Sequence, residues 1–193
     1  MRELKLSKWF NCPWFYTILR TSRVIAVHGL AANPATTWTK GEINWLSNAE
    51  FLPSIIPNAR IWTFDFESRW LGRGQPIQQL QSLGGQLLEL MDLKLTAPHR
   101  PVVFIAHSFG GVVVAEALVM ARTRENYAGL LDLITGGIFL GTPFRGSGVI
   151  HFAQMIVDAA EAFGFKGTKK LLNHLHPDDE LLNRLVSTSC MIS

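Results

Sequence analysis

The sequence predicts an α/β fold, a mainly parallel sheet flanked by helices, and three observations carry that expectation. Short apolar, β-branched runs alternate along the chain with stretches of helical periodicity. Hydrophobic residues fill 48% of the 193 positions and charged residues only 17%, the balance of strands covered on both faces. The strand ends collect glycine, serine and histidine, and open α/β sheets form their sites beyond the carboxyl ends of the strands.

Val24 to Leu30 (VIAVHGL) reads as the first buried strand, ending in His-Gly. A loop containing proline and threonine follows, then a helix around Asn44 to Phe51 that Pro53 closes. Arg60 to Phe66 (RIWTFDF) is a second strand, β-branched and aromatic. Leu80, Leu83, Leu87, Leu88 and Met91 recur at helical spacing and predict a helix from Pro76 to Leu93. Val102 to Ala106 (VVFIA) is a third strand, with a helix behind it over Val112 to Arg122. Gly137 to Leu140 is a fourth strand, ended by Gly141-Thr142-Pro143. Ser147 to Val186 is helical in pattern, with a polar break at Gly164 to Lys170.

A chain of this length and apolarity buries a core and is not of the disordered class. Its net charge is +3, with Arg2, Lys5, Lys8, Arg20 and Arg23 against Glu3 near the start. No basic stripe with interleaved aromatics appears, so no nucleic-acid partner is expected. Cys12 and Cys190 have neither metal nor redox spacing and read as free thiols, which suits a cytoplasmic setting. Val102 to Met120 is apolar enough to suggest a span, but His107-Ser108 and Gly110-Gly111 interrupt it, and a buried strand–turn–helix explains it better. Trp9 to Leu19, after a basic start, faintly resembles a signal peptide. Asn11 and Pro13 break it and no cleavage site follows. Residues 1–23 are therefore expected to be a leader and 24–193 a single domain. Association of the aromatic, basic leader with a membrane surface is a weaker alternative. The oligomeric state is not legible.

The informative stretch is Ala106-His107-Ser108-Phe109-Gly110, between an apolar strand and an apolar helix. A nucleophile elbow holds its serine on a strained strand-to-helix turn, which crowds the positions two before and two after it. Ala106 and Gly110 meet that demand, and Gly111 lets the helix start close to the sheet. The helix N-terminus then favours an oxyanion at the serine. The plainer alternative is a serine that merely caps the helix. His28-Gly29-Leu30 at the end of the first strand favours the elbow, because a second oxyanion donor belongs there. The expected hole is the backbone N–H of Leu30 with that of Phe109. His28 is expected to be structural, hydrogen-bonded under its loop, and His107 to point into the fold.

Val27-His28-Gly29-Leu30, Thr37-Trp38-Thr39, Trp45-Leu46, Leu52-Pro53, Pro57 to Ile61, Ala106 to Gly111 and Phe139 to Ser147 form a series. It resembles the lipase-like α/β-hydrolase domains of serine-active-site-containing proteins and the N-terminal modules of fungal NACHT/ankyrin receptor-like proteins. The resemblance runs from about Val24 to Leu185. Two positions depart from it: Ala106 stands where glycine is usual, and Phe144 where histidine is often found. It implies a sheet of the α/β-hydrolase type and hydrolysis of a small acyl ester or lipid through an acyl-Ser108 intermediate. The rival is a non-catalytic binding or regulatory module of a receptor-like protein.

In this fold the triad runs serine, acid, histidine along the chain, on loops after later strands. Only Gly137 to Leu140 reads as a strand after Ser108. The sequence therefore reads as truncated, lacking its C-terminal strands with the acid and histidine, and as weakly active at most. Without a base, the oxyanion hole and binding still leave roughly 10³–10⁴-fold catalysis over water. His151, His174 or His176 with Asp178 or Asp179 are conceivable substitutes. The same His174, His176, Asp178 and Asp179 could suggest a metal, but Pro177 to Glu180 reads as an acidic helix start. Neither metal nor cofactor is expected. Trp70 is a candidate lining of an acyl pocket.

Overall fold

A computed structural model describes residues 22–30, 32–68, 76–95 and 100–142. Four parallel strands form the central sheet: β1 (Arg23–Val27), β4 (Arg60–Phe64), β5 (Val102–His107) and β6 (Ile134–Leu140), in the order β4-β1-β5-β6. A separate two-stranded antiparallel ribbon pairs β2 (Thr39–Lys40) with β3 (Ile43–Asn44). The helices are α1 (Pro34–Thr37), α2 (Leu52–Ile55), α3 (Pro76–Lys94), α4 (Phe109–Thr123) and α5 (Ala128–Leu131), with a 3₁₀ turn at Glu125–Tyr127. Sequence and structure agree on the mainly parallel sheet flanked by helices. The fate of any C-terminal strands lies outside the described residues.

Every residue of β1 is buried, as expected of a strand covered on both faces. Its side chains alternate between two cores. Ile25 and Val27 join Leu80, Leu83, Leu87, Leu88 and Met91 of α3 and Val112 to Val114 of α4. Val24 and Ala26 join Trp38, Leu46, Ile56, Val103 and Ile105 on the other face. The α3 leucines buried are those whose spacing predicts the helix. At the other end of the sheet from the turn after β5, Arg23 is wholly buried over the Trp62 ring, 5.8 Å from its centroid. Burial, with Arg60 and Arg100 nearby, pushes its guanidinium below the ordinary arginine range.

Helices α3 and α4 pack against each other where α3 carries a glycine. A Cβ on Gly84 would stand 3.1 Å from Glu116 Cγ and 3.2 Å from the Ala117 backbone nitrogen. The absent side chain thus sets how near the two helices lie.

The segment before β4 departs from the expectation. Instead of a helix around Asn44 to Phe51, the chain makes the β2–β3 ribbon, then turns, then α2. The asparagines explain it: Asn44 Oδ1 accepts from Leu46 N at 3.0 Å and Asn48 Oδ1 from Glu50 N at 2.9 Å. Such side-chain acceptors favour turns over helix interiors. Pro53 opens α2 instead of closing a helix, because its missing N–H costs nothing in a first turn.

Candidate active site

Ser108 stands between β5 and α4 with φ 54° and ψ −123°. Among the described residues it is the one non-glycine with positive φ. Ordinary helix caps look different. Asn33, the cap of α1, is extended at φ −143°, and its side chain accepts from Thr36 N at 3.0 Å. Ser108 makes no capping hydrogen bond to α4, so the plain cap does not account for it. Its backbone is held by neighbours: Ser108 N donates to Leu140 O at 2.9 Å, and Gly111 N donates to Ser108 O at 3.1 Å. A conformation of this kind costs about 1–3 kcal/mol in a residue with a Cβ. Glycine adopts it freely but gives back roughly 0.5–1 kcal/mol through the unfolded chain. Ser108→Gly is therefore expected to raise the unfolding free energy by about 1 kcal/mol in denaturant titrations. Equal or lower stability would show that the turn stores no strain.

Close approach at this turn has a specific cause. A Cβ on Gly110 would collide with the carbonyl oxygens of Val27 and His28 and lie 2.8 Å from the Val27 carbonyl carbon. Only glycine lets α4 begin against the end of β1. Ala106, the other small position, is fully buried. The helix opens on Phe109, Gly110 and Gly111 with no acidic residue in its first turn, so no side chain of that turn opposes the positive end of its dipole.

The end of β1 meets the same turn. A Cβ on Gly29 would lie 3.0 Å from Ser108 Cβ and 3.2 Å from His107 Nδ1. His28 has no exposure and stacks on Phe66, with centroids 4.2 Å apart and planes at 6°. Phe66 N donates to its Nε2 at 3.3 Å, and its Nδ1 lies 2.9 Å from Gly29 O. Since a backbone N–H can only donate, this network assigns the ring proton to Nδ1. Asp65 Oδ1, on a largely exposed side chain, lies 3.3 Å from the same Nε2. With Nε2 already an acceptor, that approach is proximity and not an ion pair. His28 thus ties the strand end carrying Gly29 and Leu30 to the chain after β4. On that chain, Ser68 Oγ donates to Ala32 O at 2.7 Å.

His107 corrects one expectation. It does not point into the fold but is exposed at the end of β5. The alternation along a strand explains this, since its neighbour Ala106 takes the buried side. Desolvation still pushes its imidazole below the ordinary value.

Thr142, which sequence reasoning left unassigned, also belongs here. Its Oγ1 donates to Ser108 O at 3.1 Å, and its side chain fills the space where a Cβ on Gly111 would stand. His151, His174, His176, Asp178, Asp179, Trp70 and Phe144 lie outside the described residues. Among the described residues no cluster of histidine, cysteine, aspartate or glutamate could hold a metal ion, and no helix is long and apolar enough to cross a membrane. Two clefts flank β4, one lined by Trp62, Leu87, Leu90 and Met91, the other by Leu46, Ile56 and Ile61. Ser108 lines neither.

The sequence pattern of the alpha/beta hydrolase family matches residues 24–186. Protein SERAC1 of Danio rerio is 24% identical over 153 residues, covering 69% of this chain. The chain spans only 23% of that protein's length.

Proposed function

The chain belongs to the alpha/beta hydrolase family, and from that premise we propose a serine hydrolase, carboxylesterase or lipase-like, acting through an acyl-Ser108 intermediate. The observation that carries the reading is the backbone of Ser108. A serine at φ 54° that does not cap the helix behind it spends conformational strain on where its hydroxyl stands. The Ser108 oxygen attacks the carbonyl carbon of a small acyl ester or lipid as its proton passes to a base. The resulting oxyanion is met by the N–H groups of Leu30 and Phe109 at the positive end of α4. Collapse breaks the ester C–O bond and returns the proton to the departing alcohol, and water repeats the sequence to free the acid. His28 is not the base, because both of its ring nitrogens are engaged. The mechanism needs a base and a carboxylate to orient it, and without them only the weak activity that the oxyanion hole and binding support is left.

A fluorophosphonate probe is expected to form an adduct that mass spectrometry places on Ser108 and that Ser108→Ala abolishes. An adduct surviving in Ser108→Ala moves the nucleophile elsewhere. A folded wild type that takes no probe favours the non-catalytic module of a receptor-like protein.

A further inference from the structure

We propose that Thr142 is a positioning residue that aims and strengthens the oxyanion donor of Phe109; this rests on the reading of Ser108 as nucleophile. The argument turns on one peptide unit. The carbonyl of Ser108 and the N–H of Phe109 belong to the same planar trans peptide, so they point in opposite directions, and fixing one fixes the other. The carbonyl accepts two hydrogen bonds, from Gly111 N and from Thr142 Oγ1, each at 3.1 Å. The first comes from within α4 and moves with it. The second crosses from the end of β6 and ties the peptide to the sheet.

The same strand end grips the preceding peptide too, through Ser108 N to Leu140 O at 2.9 Å. Gly141, at φ +63°, turns the chain between these two anchors. The seat of Thr142 is built for it. Any side chain on Gly111 would overlap Thr142 Oγ1 and Cγ2, so the glycine keeps a notch that the threonine fills. Leu140 and Thr142 together thus hold both peptides flanking the strained serine, and they do so from outside the turn.

Polarisation adds to aim. A hydroxyl donating to a carbonyl draws electron density along the amide and makes its N–H a better donor. That gain counts most when negative charge develops on the substrate oxygen, so it belongs to the transition state and not to substrate binding.

Two substitutions separate the hydroxyl from the packing. Thr142→Val keeps the shape and removes the donor, whereas Thr142→Ser keeps the donor and removes the methyl. On a short acyl ester, Thr142→Val is expected to lower kcat about 10- to 30-fold, a fraction of the 10²–10³ lost with a whole oxyanion donor. KM and the melting temperature stay near wild type, and Thr142→Ser recovers most of the rate. The Phe109 amide is read directly, without turnover, in the amide-proton spectrum. Thr142→Val shifts its resonance and speeds its hydrogen exchange; Thr142→Ser leaves both near wild type. A Phe109 amide unmoved by Thr142→Val overturns the proposal, as does Thr142→Ser losing as much rate as Thr142→Val. Failure of the wild type to take the fluorophosphonate while the amide responds as described refutes the nucleophile alone.

Discussion

Gly110→Ala is expected to lose about 3 kcal/mol or more of unfolding free energy, at or above the upper end of what overpacking costs. Alanine in place of a helical glycine ordinarily gains about 1 kcal/mol from propensity, so the sign of the result decides which effect wins. Here the new methyl meets the backbone carbonyls of Val27 and His28, not the yielding tip of a side chain. Those carbonyls belong to the end of β1, a strand paired on both sides, with β4 and β5. Relief requires α4 to back away or the strand end to give, and either separates Ser108 from Gly29. Probe labelling is therefore expected to fall with stability. Gly129→Ala is the control, since a Cβ there meets nothing within 4 Å. It is expected to be neutral or to gain up to about 1 kcal/mol. Thermal melting gives the comparison, at roughly 2–4 °C per kcal/mol for a domain of this size. Equal melting of the two variants would show that the contact at Gly110 is not tight.

His28→Ala is the second large effect, with an expected loss of about 3–5 kcal/mol. Removing a fully buried ring stacked on Phe66 leaves a cavity, for which large-to-small changes cost about 2–5 kcal/mol. It also strands the Phe66 N–H that donates to Nε2, and an unsatisfied buried donor costs about 1–3 kcal/mol. Chemical denaturation measures the sum. The site suffers beyond stability, because Gly29 and Leu30 follow directly on the lost anchor. A midpoint unchanged in His28→Ala would mean that the ring does not brace the strand end.

The middle of the sheet was legible because β1 and β5 are β-branched apolar runs buried along nearly their whole length, whereas β4 and β6 at its edges are largely half-buried or exposed. Boundaries slipped where packing overrode propensity. The β6 strand starts at Ile134 and not at Gly137. Gly136 and Gly137 weaken the strand signal, yet pairing with β5 extends it, through an irregularity at Val102/Val103. The α4 helix starts at Phe109 and not at Val112, because Gly110 is poor in helix propensity but required by close approach. The helix expected around Asn44 to Phe51 fails for a different reason. Asparagine side chains write turns there, and the edge-on contact of Trp38 with Trp45, centroids 5.4 Å apart, holds them. Ala106, Gly110 and the His-Gly pair pointed to the turn at Ser108, since small residues at fixed offsets are a sequence signal. Thr142 was not legible: a hydroxyl reaching a carbonyl 34 positions away leaves no pattern to read.

The glycine at position 84 has a consequence for how such a site can be retuned. With Gly110 shut against β1 and Gly84 shut against Glu116 and Ala117, α4 is a rod clamped at its tip and along its flank. The serine stands on the end of that rod and has almost no travel. The room around that serine therefore cannot be adjusted by sliding or tilting the helix. That adjustment falls to residues that touch neither clamp, whose side chains can change without loosening either.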